Sequence, residues 1–151
     1  MKLAEALLQR AECQEKLEAL KQRILASLKV QENEKPFEDP YALLEQAQAL
    51  QEKLCEWIGK INRRNAQVTL PGGEILADAL VRREMLLKKR NLLTDIASNA
   101  IEKNFRLTHT EVKTVLTMDI GKLNQQADVL SKQYRELDTL IQAANWTTDL
   151  E

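Results

Sequence analysis

The 151-residue chain has only 4 glycines, 3 prolines and 4% aromatic residues, and it contains a single histidine. So few turn formers and aromatics argue against a β-sandwich or a Rossmann-type sheet, which need glycine-rich turns and Val, Ile or aromatic runs. No window approaches the ~18 uninterrupted apolar residues of a membrane-spanning helix. The lone His109 rules out a two-histidine metal site, and the Glu-x-x-His pairs of ferritin-like bundles are missing. Cys13 and Cys55 lie far apart and form no C-x-x-C pair, as reduced cytosolic thiols do. Charge of one sign is lacking too. The 22 basic and 23 acidic residues sum to −1, which leaves no bulk field for general nucleic-acid or anionic-membrane binding. The opening MKLAEALLQR is interrupted by Glu5 and Gln9, so no export-type apolar run is present and a cytoplasmic setting is expected.

What the chain has is helix formers. It holds 25 leucines, and just over half of it is Ala, Glu, Lys, Leu or Arg. The fold class read from this is all-α, with four long antiparallel helices in a coiled-coil-like bundle over about 2–30, 40–64, 76–103 and 119–145, forming one domain of 1–151. At about 1.5 Å per residue such helices are rods on the order of 40 Å long. The last is clearest: Ile120, Leu123, Ala127, Leu130, Tyr134, Leu137, Ile141 and Ala144 recur at steps of three and four, behind Asp119 as N-cap. On the first, Leu3, Ala6, Cys13, Leu17, Leu20 and Ile24 share a face that Arg10 breaks, with Leu7 and Leu28 broadening it. The second starts at Asp39-Pro40, an N-cap followed by proline at the first helical position. Leu44, Ala47, Leu54, Ile58 and Ile61 are expected to face one way on it, beside a second stripe of Leu43, Leu50 and Trp57. The third is expected to bury Ala79, Leu80, Leu86, Leu87, Leu93, Ala97, Ala100 and Ile101, with Arg83 and Arg90 interrupting.

Three connections separate these helices. QENEKPFE at 31–38 reads as a polar surface loop. Two β-prone runs flank Pro71-Gly72-Gly73 within 67–76, so a small β-hairpin is predicted there. Phe105, Leu107, Val112 and Val115 alternate with polar residues, predicting an extended segment over about 105–117.

Catalytic residues are not expected. A Cys–His nucleophile would need His109 beside a helical cysteine, and cysteine on an apolar stripe is usually inert packing. Gly72-Gly73 has neither a Walker lysine nor dinucleotide spacing around it. No cofactor and no metal is expected, and the chain reads as a non-enzyme. The remaining chemistry is arginine. A tight reversal would gather Asn62, Arg63, Arg64 and Asn65 with Asp78, Arg82 and Arg83, a candidate interaction surface whose planar donors suit carboxylate or phosphate. The competing reading pairs these bases with Glu56, Glu74, Asp78 and Glu84 at the helix ends. Arg10 and Arg90 are candidate polar seam residues, Arg10 fixing register by meeting an acid across the seam.

Three blocks, MKLAEALLQRA, INRRNAQVTLPGGEILADALVRRE and YRELDTLIQAANWTTDL, resemble a family of small bacterial proteins labelled septicolysin, nearly end to end. The resemblance points to Asn62, Arg63, Asn65, Ala66, Thr69 and Asp78, and to Arg135, Glu136, Leu137, Asp138, Asn145 and Trp146. Its label implies a membrane-active, cytolysin-like protein. The residues themselves imply a structural or protein-interaction module, with a homo-oligomer and an unidentified protein as partners. The double stripe of the second helix is wider than one seam needs, which is the signature of an interface.

Overall fold

The computed structural model describes residues 1–102 and 114–151, with side chains up to Ala100 in the first stretch. His109, Ile101 as a core residue and most of the predicted extended segment lie outside what is described. The chain is all-α: α1 is Leu3–Ala26, α2 Pro40–Asn65, α3 Leu76–Glu102 and α4 Ile120–Thr147. It divides into two compact units, Met1–Val68 with Ala143–Glu151, and Thr69–Gln142.

In the first unit α1 and α2 pack side by side. Arg23, near the end of α1, is ion-paired to Glu38 just before α2, while Lys16 and Lys53 line one groove, so the two helices run antiparallel. Leu20, Leu43 and Ala47 form the buried centre, flanked by Leu17, Ile24 and Leu50. On α2 the inward line is Leu43, Ala47, Leu50, Leu54, Trp57 and Ile61, spaced four, three, four, three, four. That register takes members from both stripes read from the sequence, and it leaves Leu44 and Ile58 exposed. The start of α2 is as expected: Asp39 accepts the Tyr41 N–H at 3.0 Å, and Pro40 occupies the first helical position. α1 stops at Ala26, where the Ser27 N–H bonds the Ile24 carbonyl, so Leu28 lies beyond it and is exposed.

The predicted β-hairpin is absent, and among the described residues there is no sheet. The segment after α2 makes one isolated antiparallel bridge, Thr69 to Ile75, with the Leu70 N–H on the Glu74 carbonyl at 2.8 Å. The reason is length. α3 claims the chain from Leu76, which leaves Glu74 and Ile75 as the whole return arm. The turn itself is as expected, since Gly72 and Gly73 take φ of 106° and 94°, which side chains disfavour.

Within the second unit, Leu76, Ala79, Leu86 and Ala97 of α3 are buried, and Arg83 and Arg90 are half-buried on the same line. On α4, Leu123, Ala127, Leu137 and Ile141 are buried, with Ile120, Leu130 and Tyr134 half-buried. The N-cap carboxylate of Asp119 accepts the Lys122 N–H at 3.2 Å. Arg83 meets Asp138, and Leu93 shares a groove with Lys122, Gln126 and Val129, so α3 and α4 are antiparallel.

Candidate functional site

The predicted Arg/Asn cluster is divided between the units: Asn62 to Asn65 belong to the first, Asp78, Arg82 and Arg83 to the second. In the first unit these residues form the last turn of α2, with Asn62 and Arg63 exposed and Arg64 and Asn65 half-buried. The Arg64 carbonyl accepts N–H groups from both Gln67 (2.9 Å) and Val68 (3.1 Å), which closes the helix end. Its guanidinium donates Nη1 to Gln67 Oε1 at 3.4 Å, and its Nε is buried with no partner among the described residues.

The chain termini meet in the same unit. The Leu3 N–H bonds the Thr148 carbonyl and the Leu150 N–H bonds the Met1 carbonyl, both at 2.9 Å, around a Lys2–Asp149 bridge. Lys2 Nζ lies 2.9 Å from the Asp149 carboxylate. That hydrogen bond and charge hold the Asp149 carboxyl below its ordinary range, with the N-terminal ammonium and Arg64 adding to the effect. Met1, Trp57, Lys60, Leu150 and Glu151 enclose a small cavity of about 240 Å³. Lys60 sits 5.8 Å from the Trp57 ring centre and 3.3 Å from the Glu151 carboxylate. The Trp57 Nε1 is buried without a partner among the described residues. Neither this cavity nor the buried Asn145 was legible as a site from spacing, because the cavity residues come from both ends of the chain and from α2.

In the second unit the two adjacent arginines point to different acids. Arg82 grips Glu74 in the turn with two bonds, Nε at 2.9 Å and Nη2 at 2.7 Å. Arg83 reaches Asp138 on α4 at 2.5 Å, where both side chains are about a third exposed. Asp78 is exposed in the first turn of α3, where a carboxylate favours the helix dipole. Each arginine therefore has a structural job: Arg82 ties the turn to its helix and Arg83 ties α3 to α4. Of the seam candidates, Arg90 donates to its neighbour Asn91 at 2.9 Å, and Arg10 carries a buried Nε. Among the described residues no carboxylate pairs with Arg10 across a seam, and no group of three or more His, Cys, Asp or Glu side chains is placed to hold a metal. Cys13 is buried, whereas Cys55 is exposed on α2.

The Arg82 hydrogen bonds hold the Glu74 carboxyl below its ordinary value of 4.5, partly opposed by burial. A depressed folded-state pKa means that the pair's stabilisation is present above about pH 4.5 and is lost as pH falls through the lowered value. Changing Arg82 to Gln should return Glu74 to ordinary titration in a carbon-detected NMR experiment and flatten the acid limb of the melting curve. An unmoved Glu74 titration would show that the pair does not form in solution.

Residues 10–150 match the model of a family of unknown function, DUF6847. A crystal structure of a functionally unknown conserved protein from Corynebacterium diphtheriae is similar over 100% of this chain and 99% of its own, at 40% identity and a TM-score of 0.89. Comparison with curated proteins gives no match. Neither description mentions septicolysin or lysis, and among the described residues no helix is long and apolar enough to cross a membrane. With its family model spanning nearly the whole sequence, the chain belongs to the family of unknown function DUF6847.

Proposed function

We propose that the chain is a non-enzymatic protein-interaction module of the cytoplasm, a coiled-coil-type helical bundle that self-associates. The observation that carries this reading is apolar surface beyond what each helix pair buries. After α2 has spent Leu43 to Ile61 on its inward line, Leu44 and Ile58 remain 43% and 37% exposed. Leu44 lines a groove of about 300 Å³ with Leu17, Ile24 and the half-exposed Leu25, and its rim carries one acid and one base, Glu18 and Lys21. A neutral, apolar groove of this kind favours a protein surface over a small charged substrate. The non-enzymatic part rests on the residue inventory, in which the lone His109 has no nucleophile or second histidine at a useful spacing. Light scattering on the intact chain between about 1 and 100 μM tests the reading. A mass above 17.3 kDa that rises with concentration is expected, and a clean 17.3 kDa species throughout overturns it.

A further inference from the structure

Beyond α4, residues 148–151 form a short tail that lies on the first unit in the manner of a bound peptide. Its backbone is paired as an added strand would be: the Leu3 N–H donates to the Thr148 carbonyl and the Leu150 N–H to the Met1 carbonyl, both at 2.9 Å. Such main-chain pairing holds an extended segment whatever its sequence, and the side chains supply the selection. Asp149 meets Lys2, Glu151 meets Lys60, and Leu150 between them is buried beside Met1 and Trp57. The groove therefore reads an acidic–apolar–acidic triplet.

The tail holds this seat loosely. Both ion pairs are exposed to solvent, so each adds little, and the single buried side chain of Leu150 carries most of the hold. Beside Leu150 a cavity of about 240 Å³ remains, walled by Met1, Trp57 and Lys60, and the buried Trp57 Nε1 has no acceptor among the described residues. Leucine is too small for the place it occupies. A segment with an aromatic side chain there buries more apolar surface and stacks on an indole already in position.

We infer that this groove is a docking site for an extended acidic–aromatic–acidic segment of another protein, which the chain's own Asp149, Leu150 and Glu151 occupy in cis as a displaceable clasp. The inference rests on the protein-interaction reading above but not on self-association. A tethered tail has a high effective concentration, so a competitor must bind better than the tail does. The unfilled cavity beside Leu150 supplies that advantage.

Fluorescence anisotropy on the full chain is the test, with two labelled, end-capped peptides as probes: Thr-Thr-Asp-Leu-Glu, the sequence of residues 147–151, and the same peptide carrying Leu150→Trp. The intact chain is expected to bind the tryptophan peptide roughly tenfold more tightly than the native sequence. Leu150→Ser in the protein releases the cis competitor and should tighten both by about tenfold or more. Lys60→Glu should weaken binding roughly fivefold, and Glu151→Lys in the peptide should restore it, a rescue that a purely structural lysine would not give. If the Leu150→Ser protein loses its helical spectrum, methyl NMR of the wild type decides instead, because displacement moves the Leu150 methyl signals to those of a free peptide. Absence of binding by either protein up to about 1 mM peptide, or Leu150 methyl signals that stay in place, overturns the inference. A wild-type oligomer that Leu150→Ser makes monomeric assigns the groove to the tail of a second copy and also overturns it. A monomeric wild type that binds the tryptophan peptide removes self-association and leaves the docking site standing.

Discussion

Changing Ile61 to alanine is expected to lower the melting temperature by roughly 5–15 °C. Ile61 is 1% exposed and ends the inward line of α2, so its truncation removes apolar burial and leaves a cavity that a helix backbone cannot collapse to fill. Such changes cost about 2–5 kcal/mol, and each kcal/mol moves the midpoint by about 2–4 °C in a chain of this size. Ile58, three residues earlier on the same helix, is the control. It is 37% exposed, so Ile58→Ala should shift the midpoint by no more than about 2 °C. Paired calorimetric scans decide the matter, because equal losses at both positions would mean that the register assigned to α2 is wrong.

That register marks where sequence reading ran out. α4 was legible because Ile120 to Ala144 form one unbroken heptad line whose every member is buried or half-buried, while Val129, Leu140 and Trp146 lie off it and are exposed. On α2 two adjacent apolar lines, one through Leu43 and Trp57 and one through Leu44 and Ile58, are offset by a single residue. Periodicity alone cannot choose between them. Packing against Leu20 of α1 does, by drawing in Leu43 and Ala47. On α3 the residues expected inside, from Ala79 to Ala100, are buried or half-buried, and Val81, Met85, Leu92 and Ile96, which lie off that line, are exposed.

The candidate site divides along the same boundary between local and distant contacts. Glu74 was within reach of sequence reasoning as a partner for the nearby arginines, because it lies eight residues from Arg82 in a turn whose geometry the glycines announce. Asp138 was not available from spacing, since 55 residues separate it from Arg83, and only the family resemblance drew attention to it. Consecutive helical residues point about 100° apart, so Arg82 and Arg83 cannot serve one anion together from the helix they share. Within the cluster read as one surface, Arg64, Arg82 and Arg83 are tied to Gln67, Glu74 and Asp138, while Asn62, Arg63 and Asp78 are exposed.

Replacing Gly72 and Gly73 together by alanine should be the second most damaging change, costing about 2–4 kcal/mol in total. Both glycines hold positive φ, 106° and 94°, in the five-residue reversal closed by the Leu70 N–H bond to the Glu74 carbonyl. A Cβ built at either position meets nothing within 4 Å, so the cost is backbone strain alone and not a clash. The consequence runs through Glu74. If the turn opens, the carboxylate leaves Arg82, and the start of α3 loses both its tie to the turn and the Ala79 N–H bond to Ile75. D-Alanine at the same positions, introduced by chemical ligation, favours the positive φ that L-alanine resists, and should restore the melting temperature to within about 1 °C of wild type. Equal destabilisation by the L and D residues would show that the side chain, and not the handedness of the turn, is what position 72 or 73 cannot accept.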